Sequence, residues 1–207
     1  MDSCAVGRQA QKAPGEQASP TPSESVMKMK QLIDPGTVMV PCPVVLVSVG
    51  DKDKANIITL SWAANVCSEP PMIAIGVRTK RHSFELLRHA GDFVVNVPSR
   101  TLLKAAVICG TKSGRDVDKF KVCKLTPQPS LKVKSPGIAE CPLNIECKTR
   151  QIVELGSHHL FIGQVEAVHI DDKVLTAKGE PSAAKMGLFV FLPLTGEYRS
   201  LGAQMKP

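Results

Sequence analysis

NIITLSWAANVCSEPPMIAIGVRTKRHSFELLRHAGDFVVNVP, residues 56–98, decides the fold of this chain. It opens with an apolar run from Ile57 to Ala64. Ser68-Glu69-Pro70-Pro71 ends that run, because proline lacks a ladder donor and pushes the residue before it toward extended geometry. A second apolar run, Met72 to Val77, lies between this turn and a charged segment, so it reads as a buried strand. Arg78-Thr79-Lys80-Arg81-His82-Ser83 follows, with basic and hydroxyl side chains only. Phe84, Leu86, Leu87 and Ala90 then recur at helical spacing, and Gly91 closes the helix. Asp92 to Val97 is a third strand, stopped by Pro98.

The join of strand and helix carries the chemistry. Free N–H groups and the positive end of the helix dipole face outward there, and Arg78 and Lys80 add full charges. Arginine grips phosphate through a two-bond fork and lysine acts as a point charge, so the join reads as an anion site. The competing reading is a solvated basic turn with Ser83 as helix N-cap.

Working outward, Met39 to Gly50 is apolar without alternation and reads as a first core strand buried on both faces. Asp51 to Asn56 is a polar hairpin turn into the Ile57 strand. Side chains alternate along that strand, so Ser61 and Trp62 are expected on opposite faces. Arg100 to Cys109 is helical, with Leu102, Leu103, Ala106 and Val107 on one face. Gly110 to Phe120 reads as an exposed loop leading into a short helix. Leu125 to Gly137 is punctuated and loop-like. Leu143–Leu155 and His158–Ile170 read as two long strands of a hairpin, long enough to bend around a small barrel. His158 and His159 are adjacent in a strand, so they face apart and cannot chelate one metal, and no metal site is expected. Phe189 to Leu194 is the final strand, and Tyr198 follows it.

A chain of 207 residues suits one domain. With 43% hydrophobic and 22% charged residues it can bury a core. The first 26 residues, rich in Ala, Gln, Pro, Ser and Gly, read as a disordered tail without a secretory apolar segment. Residues 27–207 then form the domain. The net charge of +7 suits either nucleic acid or an anionic cofactor. One Trp, one Tyr and six Phe leave little stock for base stacking, which argues against nucleic acid. No apolar run is long enough to span a bilayer. The seven cysteines include no C-x-x-C and read as idle or buried thiols of a reducing cytoplasm; the alternative is a redox-sensing cysteine, for which Cys67, close to the proposed flavin strand, is the candidate.

The chain resembles the flavin reductase-like family, the FMN-binding split barrels that include flavoredoxin and archaeal ferric reductase. The resemblance rests on an ordered set of motifs. T-x-x-W (Thr59 to Trp62), S-x-P (Ser68 to Pro70) and the basic segment come first. F-V-V-N-V-P (Phe93 to Pro98), S-G-R-D-x-D-K-F (Ser113 to Phe120) and E-C (Glu146-Cys147) follow. G-S-H-H-L-F-I-G (Gly156 to Gly163) and Y-x-x-L-G (Tyr198 to Gly202) complete it.

The resemblance implies a mainly β fold, a split antiparallel Greek-key β-barrel with a few peripheral helices, in a homodimer with one FMN per subunit. It places Thr59, Leu60, Ser61, Trp62 and Ala63 along the isoalloxazine, with the Thr59 and Ser61 hydroxyls and backbone N–H groups as donors. Arg78, Thr79, Lys80 and Ser83 would hold the phosphate, and Asn96 would belong to the cofactor set. Ser113, Arg115 and Lys119 would lie near the pocket, the last two meeting a nicotinamide nucleotide phosphate. His158 would contact the nicotinamide or tune the flavin. The implied activity is transfer of electrons from NADH or NADPH through FMN to free flavin, ferric iron or another acceptor. A flavoredoxin-like carrier fed by a redox protein is the alternative, and a nucleic-acid-binding barrel a remote one.

Overall fold

The computed structural model describes residues 30–51 and 54–205. The expected tail lies outside them, as does the middle of the Asp51–Asn56 turn. The strands are β1 (Cys42–Pro43), β2 (Val45–Val49), β3 (Asn56–Leu60), β4 (Ala63–Ser68), β5 (Pro71–Arg78) and β6 (Asp92–Val97). They continue with β7 (Pro127–Gln128), β8 (Gly137–Ile138), β9 (Leu143–Leu155), β10 (His158–Ile170), β11 (Phe189–Leu192) and β12 (Glu197–Ser200). The helices are α1 (His82–Ala90), α2 (Leu103–Thr111), α3 (Lys119–Cys123) and α4 (Ala183–Met186).

Seven strands form one antiparallel sheet in the order β3-β2-β6-β9-β10-β5-β4. Its two edge strands are consecutive in sequence, joined by Ser61 and Trp62 alone. Laid flat, seven strands would hold their edges about 29 Å apart. A two-residue link reaches only about 10 Å. The sheet therefore rolls on itself, and the chain steps from one edge to the other at the seam. Gly76 N–H donates to the Trp62 carbonyl at 2.8 Å and fixes the step. This corrects the single apolar strand expected from Ile57 to Ala64.

β2 shows why the first run is apolar throughout. Val45, Val47 and Val49 pack inside the roll with Ile58, Ile75, Phe93 and Phe161. Leu46 faces outward, under Ala106, Cys109 and Ile138. Each such fully buried aliphatic side chain contributes about 1.5–3 kcal/mol. Only Val45–Val49 belongs to this sheet, for Cys42 and Pro43 pair with β11 in a separate three-stranded sheet, β1-β11-β12. Tyr198 sits on β12 and packs on Phe189 and Phe191. β9 and β10 span the residues expected of the long hairpin. At Gly163, opposite a bulge in β9, an added Cβ would lie 2.6 Å from Phe93 and 2.8 Å from Cys147, so only glycine lets the strand close on the core.

Buried polar groups in β6 and β9 hold the 130s loop. Asn96 is fully buried. Its Nδ2 donates to the Leu46 carbonyl at 2.8 Å, and its Oδ1 accepts from Ile138 N–H at 2.9 Å and Asn144 Nδ2 at 2.7 Å. Its amide is spent on the fold, which corrects its expected place in the cofactor set. Asp92 accepts from the N–H groups of Lys134 and Ser135. Glu146, 1% exposed, accepts from Leu131 N–H at 2.8 Å, Lys132 N–H at 2.6 Å and His169 Nε2 at 2.6 Å. Burial alone would push the Glu146 carboxyl up, but these three donors outweigh it and hold it below the usual carboxylate range.

Two outcomes follow. Asn96→Ala strands Ile138 N–H and Asn144, and lowers the unfolding free energy in urea by about 2–4 kcal/mol. Because the folded pKa of Glu146 is lowered, its contribution is complete above about pH 4.3, the unfolded value, and is lost as pH falls through the folded value. Urea midpoints measured from pH 7 to pH 3 fall along that limb, and Glu146→Gln flattens it while lowering the neutral plateau.

Candidate functional site

Two adjoining recesses run along β3. The first, about 180 Å³, lies between the start of α1 and the loop after α2. The second, about 210 Å³, lies at the seam where β3 hands over to β4. Ile58 and Arg81 border both, so they form one groove.

The first recess is cationic. Lys80, Arg81, Lys112, Arg115 and Lys119 line it together with Ser83 and Ser113, and no carboxylate does. Among the described residues none of these five cations is in an ion pair. α1 begins here after Arg81, whose backbone is extended and whose side chain caps nothing. The N–H groups of the first turn therefore add partial positive charge to the full charges. Ser83 is not the N-cap; it lies inside α1, fully buried, and its Oγ accepts from Asn56 Nδ2 at 2.7 Å. Gly114 presses on this pair so closely that an added Cβ would lie 2.2 Å from Asn56 Oδ1 and 2.8 Å from the His82 ring. Burial, then the charges of Arg115 and Lys119, lower the pKa of His82. It stands in the wall as a neutral imidazole.

Lys119 corrects an expectation. It is 4% exposed, and its Nζ donates to the carbonyls of Ile57 at 2.6 Å and Cys109 at 2.8 Å. It is a strut from β3 to the end of α2, not a side chain reaching for an incoming nucleotide. Its ammonium is still a charge in the recess wall, although burial lowers its pKa. The strut also shows which way β3 faces. β3 pairs only with β2, so half its peptide groups look away from the sheet, and the Ile57 carbonyl is one. By alternation the Thr59 peptide looks the same way, toward the groove.

The second recess is lined by Thr59, Leu60, Ser61, Trp62, Arg78, Arg81 and His158. Ser61 and Trp62 both reach it because regular alternation stops at the seam. The Trp62 and His158 rings lie 4.5 Å apart, tilted by 37°. Gly76 makes room, since an added Cβ there would stand 3.3 Å from the indole. Ser157 Oγ lies 2.9 Å from His158 Nδ1. Burial, then Arg78 and Arg81, lower the pKa of His158. His159 faces the other way, edge-on to Phe84 at 4.8 Å, as strand alternation requires.

Other expected residues stand elsewhere. Arg78 and Lys80 do not share one anion site, for Arg78 faces the second recess and Lys80 the first. The Thr59 hydroxyl donates to the Ala106 carbonyl at 2.6 Å and fastens α2, leaving only its peptide for a ligand. Thr79 lines neither recess, and its N–H points to the Ser157 carbonyl. Ala63 pairs with Ile75 in β4 and lines neither. Arg81, His82, Asn56, Lys112 and Gly114 are the residues sequence reasoning left out. Arg81 and His82 were in plain view within the basic segment, whereas Asn56 and Gly114 act only through contacts across the chain.

Trp62 is the only tryptophan, so its emission reports on the second recess. A protonated imidazole quenches indole. Emission of the ligand-free protein therefore rises with pH, with a midpoint below the usual histidine value of about 6.5. His158→Ala removes the titration.

The sequence model of the flavin reductase like domain matches residues 38–196. An uncharacterized protein of Archaeoglobus fulgidus is 34% identical over 129 residues, covering 62% of this chain and 72% of that one. A high molecular weight rubredoxin of Moorella thermoacetica is 28% identical over 131 residues, 62% of this chain but only 54% of that one. Among solved structures, flavoredoxin of Desulfovibrio vulgaris (Miyazaki F) superimposes with a TM-score of 0.81 at 33% identity, over 86% of this chain and 97% of that one. Flavoredoxin of Methanosarcina acetivorans gives 0.78 at 28%, over 86% and 95%. The rolled sheet, its seam and a family match across most of the chain agree, and the protein belongs to the flavin reductase-like family.

Proposed function

We propose that the groove along β3 binds FMN and that the protein is an oxidoreductase passing electrons from NADH or NADPH to an acceptor such as free flavin or ferric iron. The observation that carries this reading is the cluster of cations, unpaired among the described residues, around an uncapped helix start, next to a strand edge with free peptide groups. The residues fit the group. A dianionic phosphate matches Lys80, Arg81, Arg115, the Ser113 hydroxyl and the first-turn N–H groups of α1. The polar rim of a flavin ring matches the outward peptide edge from Thr59 to Ser61. When bound, FMN supplies the redox chemistry, accepting hydride from a nicotinamide and returning electrons to the acceptor.

The chain's own residues bind and orient. Arg81, bordering both recesses, bridges the phosphate end and the ring end. Leu60 and Trp62 give the second recess its apolar wall, which limits water there. Arg78 lies across the recess from β3 and is free to meet the phosphates of an incoming nucleotide. His158, held neutral, serves as a hydrogen-bonding group beside Trp62, not as a third cation.

The carrier reading draws on the similarity to two flavoredoxins. In it a redox protein, not a nicotinamide, delivers electrons at the exposed Trp62 rim. A homodimer fits either reading, because β4 pairs on one side only and Val66 on it is 50% exposed. The clustering of cations in a recess favours a small anion over a nucleic-acid backbone. No described helix is long and apolar enough to cross a membrane, and a cytoplasmic setting suits the free thiols.

The test is a titration of the purified protein with FMN, read by Trp62 emission and flavin absorbance. FMN binds, and Lys80→Ala/Arg81→Ala weakens it roughly 100-fold or more, as two lost charge-assisted contacts require, with the melting temperature little changed. A protein that binds no FMN overturns the reading. Steady oxidation of NADH or NADPH with added flavin separates the enzyme from the carrier.

A further inference from the structure

We propose that Cys109 and Cys123 are a redox modification site: a thiol pair that closes to a reversible disulfide, tying α2 to α3 beneath the loop that lines the first recess. Their sulfurs stand 3.8 Å apart, near the end of α2 and at the last residue of α3. A disulfide needs about 2.05 Å, so closure draws the sulfurs together by less than about 2 Å. The helices already pack on each other, and a movement of that size is within side-chain rotation and a small shift of the five-residue α3.

The two thiols differ in access. Cys109 is 1% exposed, while Cys123 is only partly buried. Burial, then the neighbouring Cys123, push the Cys109 thiol up to about 12, against the opposing pull of the Lys119 ammonium. Cys109 therefore stays protonated, and Cys123 is the one that meets an oxidant from solvent.

The oxidant we name is hydrogen peroxide, a product of reduced flavins and dioxygen. The Cys123 thiolate attacks one peroxide oxygen. An S–O bond forms, the O–O bond breaks, and the departing hydroxide takes up the proton released by the Cys123 thiol as water. Cys109 Sγ then attacks Cys123 Sγ. The S–S bond forms, the S–O bond breaks, and the Cys109 proton leaves with the hydroxyl group as a second water. Two thiols lose two electrons and two protons, and one peroxide becomes two waters.

The consequence for the recess rests on the FMN reading. Between the two cysteines lie Lys112, Ser113, Arg115 and Lys119, all in its wall. The Cys109 carbonyl is itself one of the two acceptors of Lys119 Nζ. Drawing α3 toward α2 pulls on this strut and on both ends of the loop, so the oxidised protein holds FMN less tightly.

The test begins with Cys4→Ser/Cys67→Ser protein, exposed to hydrogen peroxide and mapped after trypsin. Lys112, Arg115, Lys119 and Lys121 all lie between the pair, so trypsin leaves Cys109 and Cys123 on separate peptides unless they are linked. The expected result is a cross-linked peptide pair, with an intact mass lower by two hydrogens, restored by dithiothreitol. This mapping needs no substitution at the pair itself; Cys123→Ala, at the more exposed position, removes the link. Oxygen added to either cysteine without the link, or no change, overturns the proposal. FMN affinity of the linked protein falls roughly tenfold, the loss of one charge-assisted contact. Unchanged affinity overturns the switch. A link that forms in protein unable to bind FMN in either state supports the thiol pair and overturns the cofactor reading alone.

Discussion

Ser61 and Trp62 join the two outermost strands of one sheet, and that short tether is the constraint on which everything else depends. A longer loop would let the sheet lie open, with helices on its faces. Two residues force it to roll, and the roll leaves a seam where β3 has no partner on one side. The unpaired peptides of such an edge are normally a liability. Here α2 covers one end of the edge through the Thr59–Ala106 bond, and Lys119 satisfies the Ile57 carbonyl. What remains uncovered, between Ser61 and the start of α1, is the groove.

The groove concentrates positive charge, and among the described residues no carboxylate lines its cationic recess. Crowding Lys80, Arg81, Lys112, Arg115 and Lys119 around one recess is unfavourable without a ligand; burial first, and neighbouring cations second, lower the pKa values of His82 and Lys119. Polar groups around the 130s loop are compensated instead. There, acceptors in β6 and β9 are matched one by one to N–H groups of the 130s loop, through Asp92, Asn96 and Glu146. Polar groups in that region serve rigidity, and the cations of the first recess are left for a partner.

The sequence makes these two uses of polarity hard to tell apart. Asn96 stands in an apolar strand near the basic join, and no local pattern distinguishes a buried amide that holds a loop from one that meets a ligand. The difference lies in Ile138 and Asn144, more than 40 residues away. Lys119 misleads for the same reason: in a glycine- and charge-rich loop it reads as solvated, and only the carbonyls of Ile57 and Cys109 reveal it as a buried strut. Features set by short-range rules were legible. These include the ends of β9 and β10, the helix from the basic join to Gly91, and the opposed histidines. The seam at Ser61 was not, because an apolar run carries no mark of where it changes sheet edge, and β12 was too short and polar to stand out.

The small sheet β1-β11-β12 sets an order of events during biosynthesis. Cys42 and Pro43 emerge from the ribosome early, yet their ladder partners Phe191 and Val190 are among the last parts of the fold to be made. The barrel strands all precede β11 in the chain, so they can pair while the nascent polypeptide is still tethered. Fastening Cys42 and Pro43 therefore waits until residues 189–192 have been made and are free to pair.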